Sequence, residues 1–455
     1  MASDFLRPGS SGLCLDILGQ QPLLNKLYTQ ITLCFARCND ITDEDIIETL
    51  TLGLERLADS IPWVAGKVEQ NGRKRDCDCG YAIVPWGKAP RLVVKDLRND
   101  TSMPSMEQLR SARFPMRELD ESRLSPCKTL SFAADMTPYV FIAQATFIKG
   151  GLLLTLVAQH NTMDMVGQGE IIRLLSKACR GEGFSREEIA NGNASRHDIV
   201  PYLDDSWQPG PELDCQTMKP GSGQSPAPPK CIWSYFCFSR ASLADLKVVA
   251  SKDVTASAGY VSTDDTLSAF IWKCITRVRL TRVEPTTTST FARAVDVRQY
   301  LGASPTYTGL LQNMTYNTLS VSNVASQPLG TVASHFRESL DPDVSQMAYR
   351  TRGLATVLRR SADKTEMSFT AAIDPSTDVS LSSWAKINLY DLDFNLGLGK
   401  PEAVRRPAFD PVESLMYIMP RRPDGELVVG ICVREDDMAG LRADGEFMKY
   451  ATYIG

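Results

Sequence analysis

The chain of 455 residues is long enough for two or three domains at about 150 residues each. Its 43% hydrophobic, 23% charged and 8% aromatic content matches a globular protein and not a disordered, collagenous or disulfide-stapled one. With 49 Lys and Arg against 54 Asp and Glu, the net charge of −5 offers no basic field for a nucleic acid.

The opening MASDFLRPGSSGLCLDILGQ has no basic segment followed by a long apolar run, so no secretory signal is expected. No stretch supplies the roughly 18 apolar residues of a membrane span. The expected form is a cytoplasmic monomer. The 12 cysteines are scattered, and reduced thiols are expected throughout. Cys77 and Cys79 form a CxC beside Asp76 and Asp78. They lack the second Cys/His pair of a zinc site, so no metal is expected.

The spacing of Ile46, Ile47, Leu50, Leu54 and Leu57 predicts an amphipathic helix over Asp43 to Ser60, closed by Pro62. YVFIAQATFI and LLLTLVAQ, flanking Lys149-Gly150-Gly151, predict two strands joined by a glycine turn. The second strand runs into His160, and GQGEIIRLLSKACR predicts a helix after it, so His160 falls at a strand-to-helix junction. Residues 207–230 hold six prolines and three glycines in 24 positions, which excludes a regular helix or central strand. This is the expected linker between an N-terminal domain, 1–206, and a C-terminal domain, 231–455. Helical TLSAFIWKCITRVRL and strand-like IWSYFCFS, TFARAVDV, SLMYIMP and ELVVGICV predict an α/β arrangement in the second half as in the first. SSWAKINLYDLDFNLGLGKP predicts a strand leading into a loop.

Only three histidines are present, His160, His197 and His335, and His160 has the setting of a catalytic base, with Asp164 four positions on. A hydrogen-bonded structural histidine is the plain alternative. No G-x-S-x-G elbow is present, and Gly397-Leu398-Gly399-Lys400 is followed by Pro401, so neither a serine hydrolase nor a phosphate loop is indicated. A base without its own nucleophile suggests direct transfer. The imidazole would take a proton from a substrate hydroxyl, which attacks an electrophile held beside it.

His160-Asn-Thr-Met-Asp164 followed far downstream by Asp393-Phe394-Asn395-Leu396-Gly397 resembles the HxxxD and DFGWG motifs of the BAHD acyltransferases. QHNTMDMVGQ, VSTDDTLSAFIWK, LSSWAKINLYDLDFNLGLGKPE and PVESLMYIMP are most similar to the fungal trichothecene-acetylating branch. The resemblance implies two α/β domains like chloramphenicol acetyltransferase with a solvent channel between them, and a crossover at about 385–408 packing on the N-terminal domain. It implies acetyl-CoA as co-substrate, no permanently bound cofactor, and a trichothecene alcohol acetylated at its C3 hydroxyl. Another secondary-metabolite alcohol is the alternative acceptor.

In that pattern His160 is the general base and Asp164 is structural, paired with Arg298 of Asp296-Val297-Arg298. Ser382 and Trp384 are placed to donate to the oxyanion; Trp384 could equally be a core aromatic. Ser262 and Thr263, with Gly397 and Gly399, would lie near coenzyme A, although Ser262-Thr263-Asp264-Asp265 also has the form of a helix cap. Tyr417 and Leu389 would line the alcohol pocket, with core packing the alternative for Tyr417. Asn395 and Leu396 depart from the family's Gly and Trp. A silent relative, or a condensation module of a peptide synthetase, is disfavoured: His160 and Asp164 are intact, Gln159 stands in place of a second His, and Met165 follows Asp164.

Overall fold

Two mixed sheets, one from each half of the chain, meet across a shared apolar core. The computed structural model describes residues 12–37, 41–70, 80–131, 137–197, 199–219 and 229–455. Cys77 and Cys79 lie outside the described residues.

The first sheet has five strands in the order Ala403–Arg405, Tyr28–Ala36, Gly151–Gln159, Phe141–Ile148 and Arg91–Asp96. Its three middle strands are buried along nearly their whole length, as expected of a sheet covered on both faces, and this is why they read as continuous apolar runs. Gly150, at φ 81°, makes the tight turn between two of them, in a region that costs a side-chain-bearing residue energy. Helix Asp43–Ser60 covers this sheet. Thr42 and Asp45 close its first turn with a reciprocal capping box, and Ile46, Leu50, Leu54 and Leu57 are buried.

The second sheet has seven strands in the order Gln312–Ser320, Thr288–Asp296, Val379–Ser383, Leu415–Ile418, Leu427–Arg434, Cys231–Phe238 and Thr452–Tyr453. Side chains alternate between its faces. Phe236, Phe238, Val429 and Ile431 pack with the helix Thr263–Arg279. Trp233, Tyr235, Cys432 and Tyr417 point the other way, into a cluster that also holds Leu156, Met163 and Leu175 of the first half.

Ala403–Arg405, from late in the chain, pairs antiparallel with Thr32–Cys34 and so extends the first sheet. The proline-rich segment is also less of a free spacer than its composition predicts. Pro211–Gln216 forms a 3-10 turn, Leu213 is buried, Gln216 Nε2 donates to Asn313 Oδ1 at 2.8 Å, and Thr217 bridges to Met367. Residues 220–228 lie outside the described residues. Among the described residues eight cysteines are free thiols, but Cys14 is disulfide-bonded, which corrects the expectation of reduced thiols throughout.

Candidate active site

The strand Gly151–Gln159 delivers His160 to the junction between the halves. The backbone N–H of His160 donates to the Leu27 carbonyl at 2.8 Å. Thr162 Oγ1 donates back to the Gln159 carbonyl at 2.7 Å, which folds the chain sharply. Asn161, Thr162 and Met163 are buried, whereas His160 is half-buried.

His160 Nδ1 lies 3.2 Å from the Met163 carbonyl oxygen. A carbonyl can only accept, so Nδ1 carries the hydrogen and the lone pair of the neutral ring resides on Nε2. Burial, the largest influence, holds the imidazole below the ordinary histidine range. The Met163 carbonyl and Asp164 pull the other way, and Arg406 acts with burial.

Asp164 turns away from that ring. It caps the helix Met165–Cys179, accepting from Gly167 N at 2.9 Å, and receives both Nη atoms of Arg298 at 2.9 Å and Leu311 N at 2.8 Å. The two residues are 3% and 1% exposed, so the pair is fully desolvated and joins the His160 loop to the other half. Arg298 spends its remaining donors on Asp296 and on the carbonyls of Tyr307 and Gly309, at 2.8 to 3.0 Å. Gly167 is required by this docking: a Cβ there would stand 2.4 Å from the Thr308 carbonyl oxygen.

A second buried acid was not found from the sequence. Asp16 accepts from Arg196 Nη1 at 3.0 Å, Tyr307 OH at 3.1 Å and Leu310 N at 3.1 Å. Arg196 Nη1 also donates to the Thr162 carbonyl at 2.6 Å, and the guanidinium carbon lies 4.5 Å from the centroid of the Trp63 ring. The one signal available was a carboxylate inside the apolar run Leu13–Leu18.

On the opposite sheet, Ser382 stands in register with Tyr417 on the neighbouring strand, so both point to the same face. Trp384 Nε1 donates to Ser382 Oγ at 2.9 Å. The two expected donors are therefore arranged in series: the indole N–H is engaged, and the Ser382 hydroxyl hydrogen is the one left to give. Ser383 Oγ donates to Asp264 at 2.6 Å, which ties this strand to the start of the helix Thr263–Arg279.

Ser262 is consumed by capping: its Oγ accepts from Asp265 N at 3.1 Å, and its own N–H and O–H donate to Asp265 at 2.8 and 2.7 Å. Thr263 is the first residue of that helix. Gly397 and Gly399 both sit at positive φ, 68° and 70°, in a loop where a Cβ on Gly397 would meet Ile41 at 3.3 Å. The structure gives them a turn geometry. Leu389 has no exposed surface and packs in the shared core. Tyr417 stacks with Trp233 at a ring-centroid distance of 5.9 Å and meets Trp384 in a tilted contact at 5.0 Å. Among the described residues no group of His, Cys, Asp and Glu is placed to hold a metal ion, and no helix is long and apolar enough to cross a membrane.

Vinorine synthase, at 16% identity, superimposes with a TM-score of 0.69 over 98% of this chain and 95% of its own, a likeness of fold. Residues 27–179 match the trichothecene 3-O-acetyltransferase-like N-terminal domain. O-acetyltransferase dmxR13 of Cryptosporiopsis sp. is 49% identical over 97% of both chains. The trichothecene 3-O-acetyltransferase TRI101 of Fusarium sporotrichioides is 48% identical over 97% of both. The structure of F. graminearum TRI101 complexed with coenzyme A and deoxynivalenol superimposes with a TM-score of 0.93 at 48% identity, covering 97% of this chain and 99% of that one. The chain belongs to the trichothecene 3-O-acetyltransferase-like family of acyltransferases.

Proposed function

We propose that this protein is an acetyl-CoA-dependent O-acetyltransferase acting on the C3 hydroxyl of trichothecene alcohols, in a ternary complex without an acyl-enzyme. The observation that carries the reading is the imidazole whose Nδ1–H is committed to the Met163 carbonyl, with Nε2 left as the base. Nε2 takes the proton of the acceptor hydroxyl as its oxygen attacks the thioester carbonyl. Ser382 Oγ–H, backed by the Trp384 N–H, donates to the tetrahedral oxyanion. Collapse breaks the C–S bond, and the imidazolium returns the proton to the departing sulfur, giving the ester and free coenzyme A.

In this reading residues 1–206 and 231–455 act as two domains of one monomeric, cytoplasmic enzyme. Residues 207–230 link them, the crossover near 385–408 lies on the first, and a channel between them admits the two substrates. Asp164 and Arg298 hold the His160 loop to the second domain. Ser262 and Thr263 lie on the coenzyme side and Tyr417 on the alcohol side. The names of two relatives at 46 and 48% identity favour the trichothecene acceptor. Another secondary-metabolite alcohol is the second reading, because the 49% identical relative is named only as an O-acetyltransferase.

Thiol release from acetyl-CoA with deoxynivalenol and a panel of unrelated alcohols tests both. Release with other alcohols but with no trichothecene would move the assignment to the second reading. His160→Ala is expected to lower turnover by about 10² to 10⁴ while coenzyme A still binds in calorimetry, and near-normal turnover would remove His160 as the base.

A further inference from the structure

Among the described residues six arginines are buried between or within the halves, and five of them have their charge or donors matched. Arg196, Arg279, Arg293 and Arg298 each meet a carboxylate. Arg405 is paired to the carbonyls of Phe114, Arg113 and Val404 at 3.0 to 3.2 Å. Arg406 is the exception. It is 2% exposed, and among the described residues no carboxylate reaches it. Its Nη atoms make only long bonds, 3.5 Å to the Gln30 carbonyl and 3.3 Å to Thr129 Oγ1, and its Nε has no partner.

Instead of anions, Arg406 has ring faces. Its guanidinium carbon lies 4.5 Å from the centroid of Phe409, 4.6 Å from Tyr417 and 5.5 Å from Trp384, a cation–π cage that compensates part of the desolvation. Two of those rings belong to the site already described. Its other contact, Gln30, is two residues from Tyr28, which pairs directly with Gln159 next to His160. Glu121, the acid beyond, is separated from Arg406 by Thr129 and Gln30, which donate to its carboxylate at 2.7 and 3.1 Å. A buried cation with no carboxylate in contact is costly for stability alone, and such groups concentrate where function uses their charge.

We propose that Arg406 is a positioning residue of the acyl-transfer site: clamped on Trp384, Phe409 and Tyr417, it fixes the aromatic wall that backs Ser382 and supplies a permanent positive charge, held at Gln30 on the strand paired with the one that ends at His160. This rests on the reading of His160 as the general base. The charge disfavours a second cation, so it acts together with burial to hold the imidazole below its ordinary range. The other charged groups around that loop are neutralised in pairs, Asp164 by Arg298 and Asp16 by Arg196, whereas Arg406 acts on the Glu121 carboxyl without an ion-pair contact.

With three histidines in the chain, the His160 ring can be followed by nitrogen-15 NMR titration of the full-length protein, alongside the pH profile of kcat/KM. Arg406→Met and Arg406→Gln, each checked for a native thermal transition, are expected to raise the His160 midpoint by about half a pH unit or more. The acid limb of kcat/KM should move with it. Arg406→Lys, which keeps the charge, is expected to hold the wild-type midpoint. Equal midpoints in all four proteins would overturn the proposal. Wild-type protein that acetylates no alcohol would instead defeat the functional reading, while the NMR midpoints still report on Arg406.

Discussion

At His160 the environment does two separable things to the imidazole. The Met163 carbonyl selects the tautomer, and burial with Arg406 disfavours protonation. A group whose charged form is disfavoured titrates at lower pH, so the base stays competent below the ordinary histidine value of about 6.5. The kcat/KM profile is therefore expected to rise with pH and reach half its plateau below about 6.5; a midpoint above that value would contradict the buried, neutral imidazole. Ser382 and Trp384 allow a second residue-level prediction, because the indole acts on the oxyanion only through the serine. Ser382→Ala is expected to lower kcat by about 10²- to 10³-fold, as for loss of an oxyanion-hole donor. Trp384→Phe should cost less, with KM for acetyl-CoA nearly unchanged in both. The reverse order in steady-state kinetics would mean that the indole is the direct donor.

Elements set how much of this could be read in advance. The helix Asp43–Ser60 was legible to its ends because a cap, an apolar stripe and Pro62 are all local signals. His160 was legible because an apolar strand stops there. Ser262 shows the limit of local signals, since the same four residues serve as a cap whatever else lies nearby. Asp16 and Tyr307 lie 291 positions apart, and Arg406 meets Gln30 across 376; no periodicity within an element encodes such meetings. The Asp164 and Arg298 pair was reached only through family resemblance, and the structure supplies the physical content: two bonds of 2.9 Å with almost no solvent. Removing one partner leaves the other charge buried, so Asp164→Asn and Arg298→Met are each expected to lose about 3 to 5 kcal/mol of stability. The double variant should lose less than the sum of the two. Urea denaturation of the four proteins measures this, and strict additivity would show the two side chains to be independent.

For the whole molecule the question is whether the halves are separate folding units joined at a site or one body. Chain composition suggests the former, with a proline-rich divide and enough residues on each side for a core. The packing argues for the latter. Leu156, Met163 and Leu175 of the first half share a core with Trp384, Tyr417 and Cys432 of the second. A late strand completes the first sheet, the early turn Ile17–Gln20 packs against the late helix Met347–Arg360, and Gly167 admits the 308–309 backbone at a distance closed to any side chain. Separating the halves would expose that core and leave Asp164 and Arg298 without each other, so neither half should outlive the other on heating. Trp63, in the first half, and Trp272, in the second, are both buried and can serve as independent reporters through the single-tryptophan variants that retain one or the other. The expected outcome is coincident thermal transitions for the two reporters and a single calorimetric peak. Asp164→Asn should lower both midpoints equally, because weakening the seam weakens the only state in which either half is folded. Two resolved transitions would mean that the base and the oxyanion donor are carried on bodies that fold separately, and that their geometry is set by docking after folding.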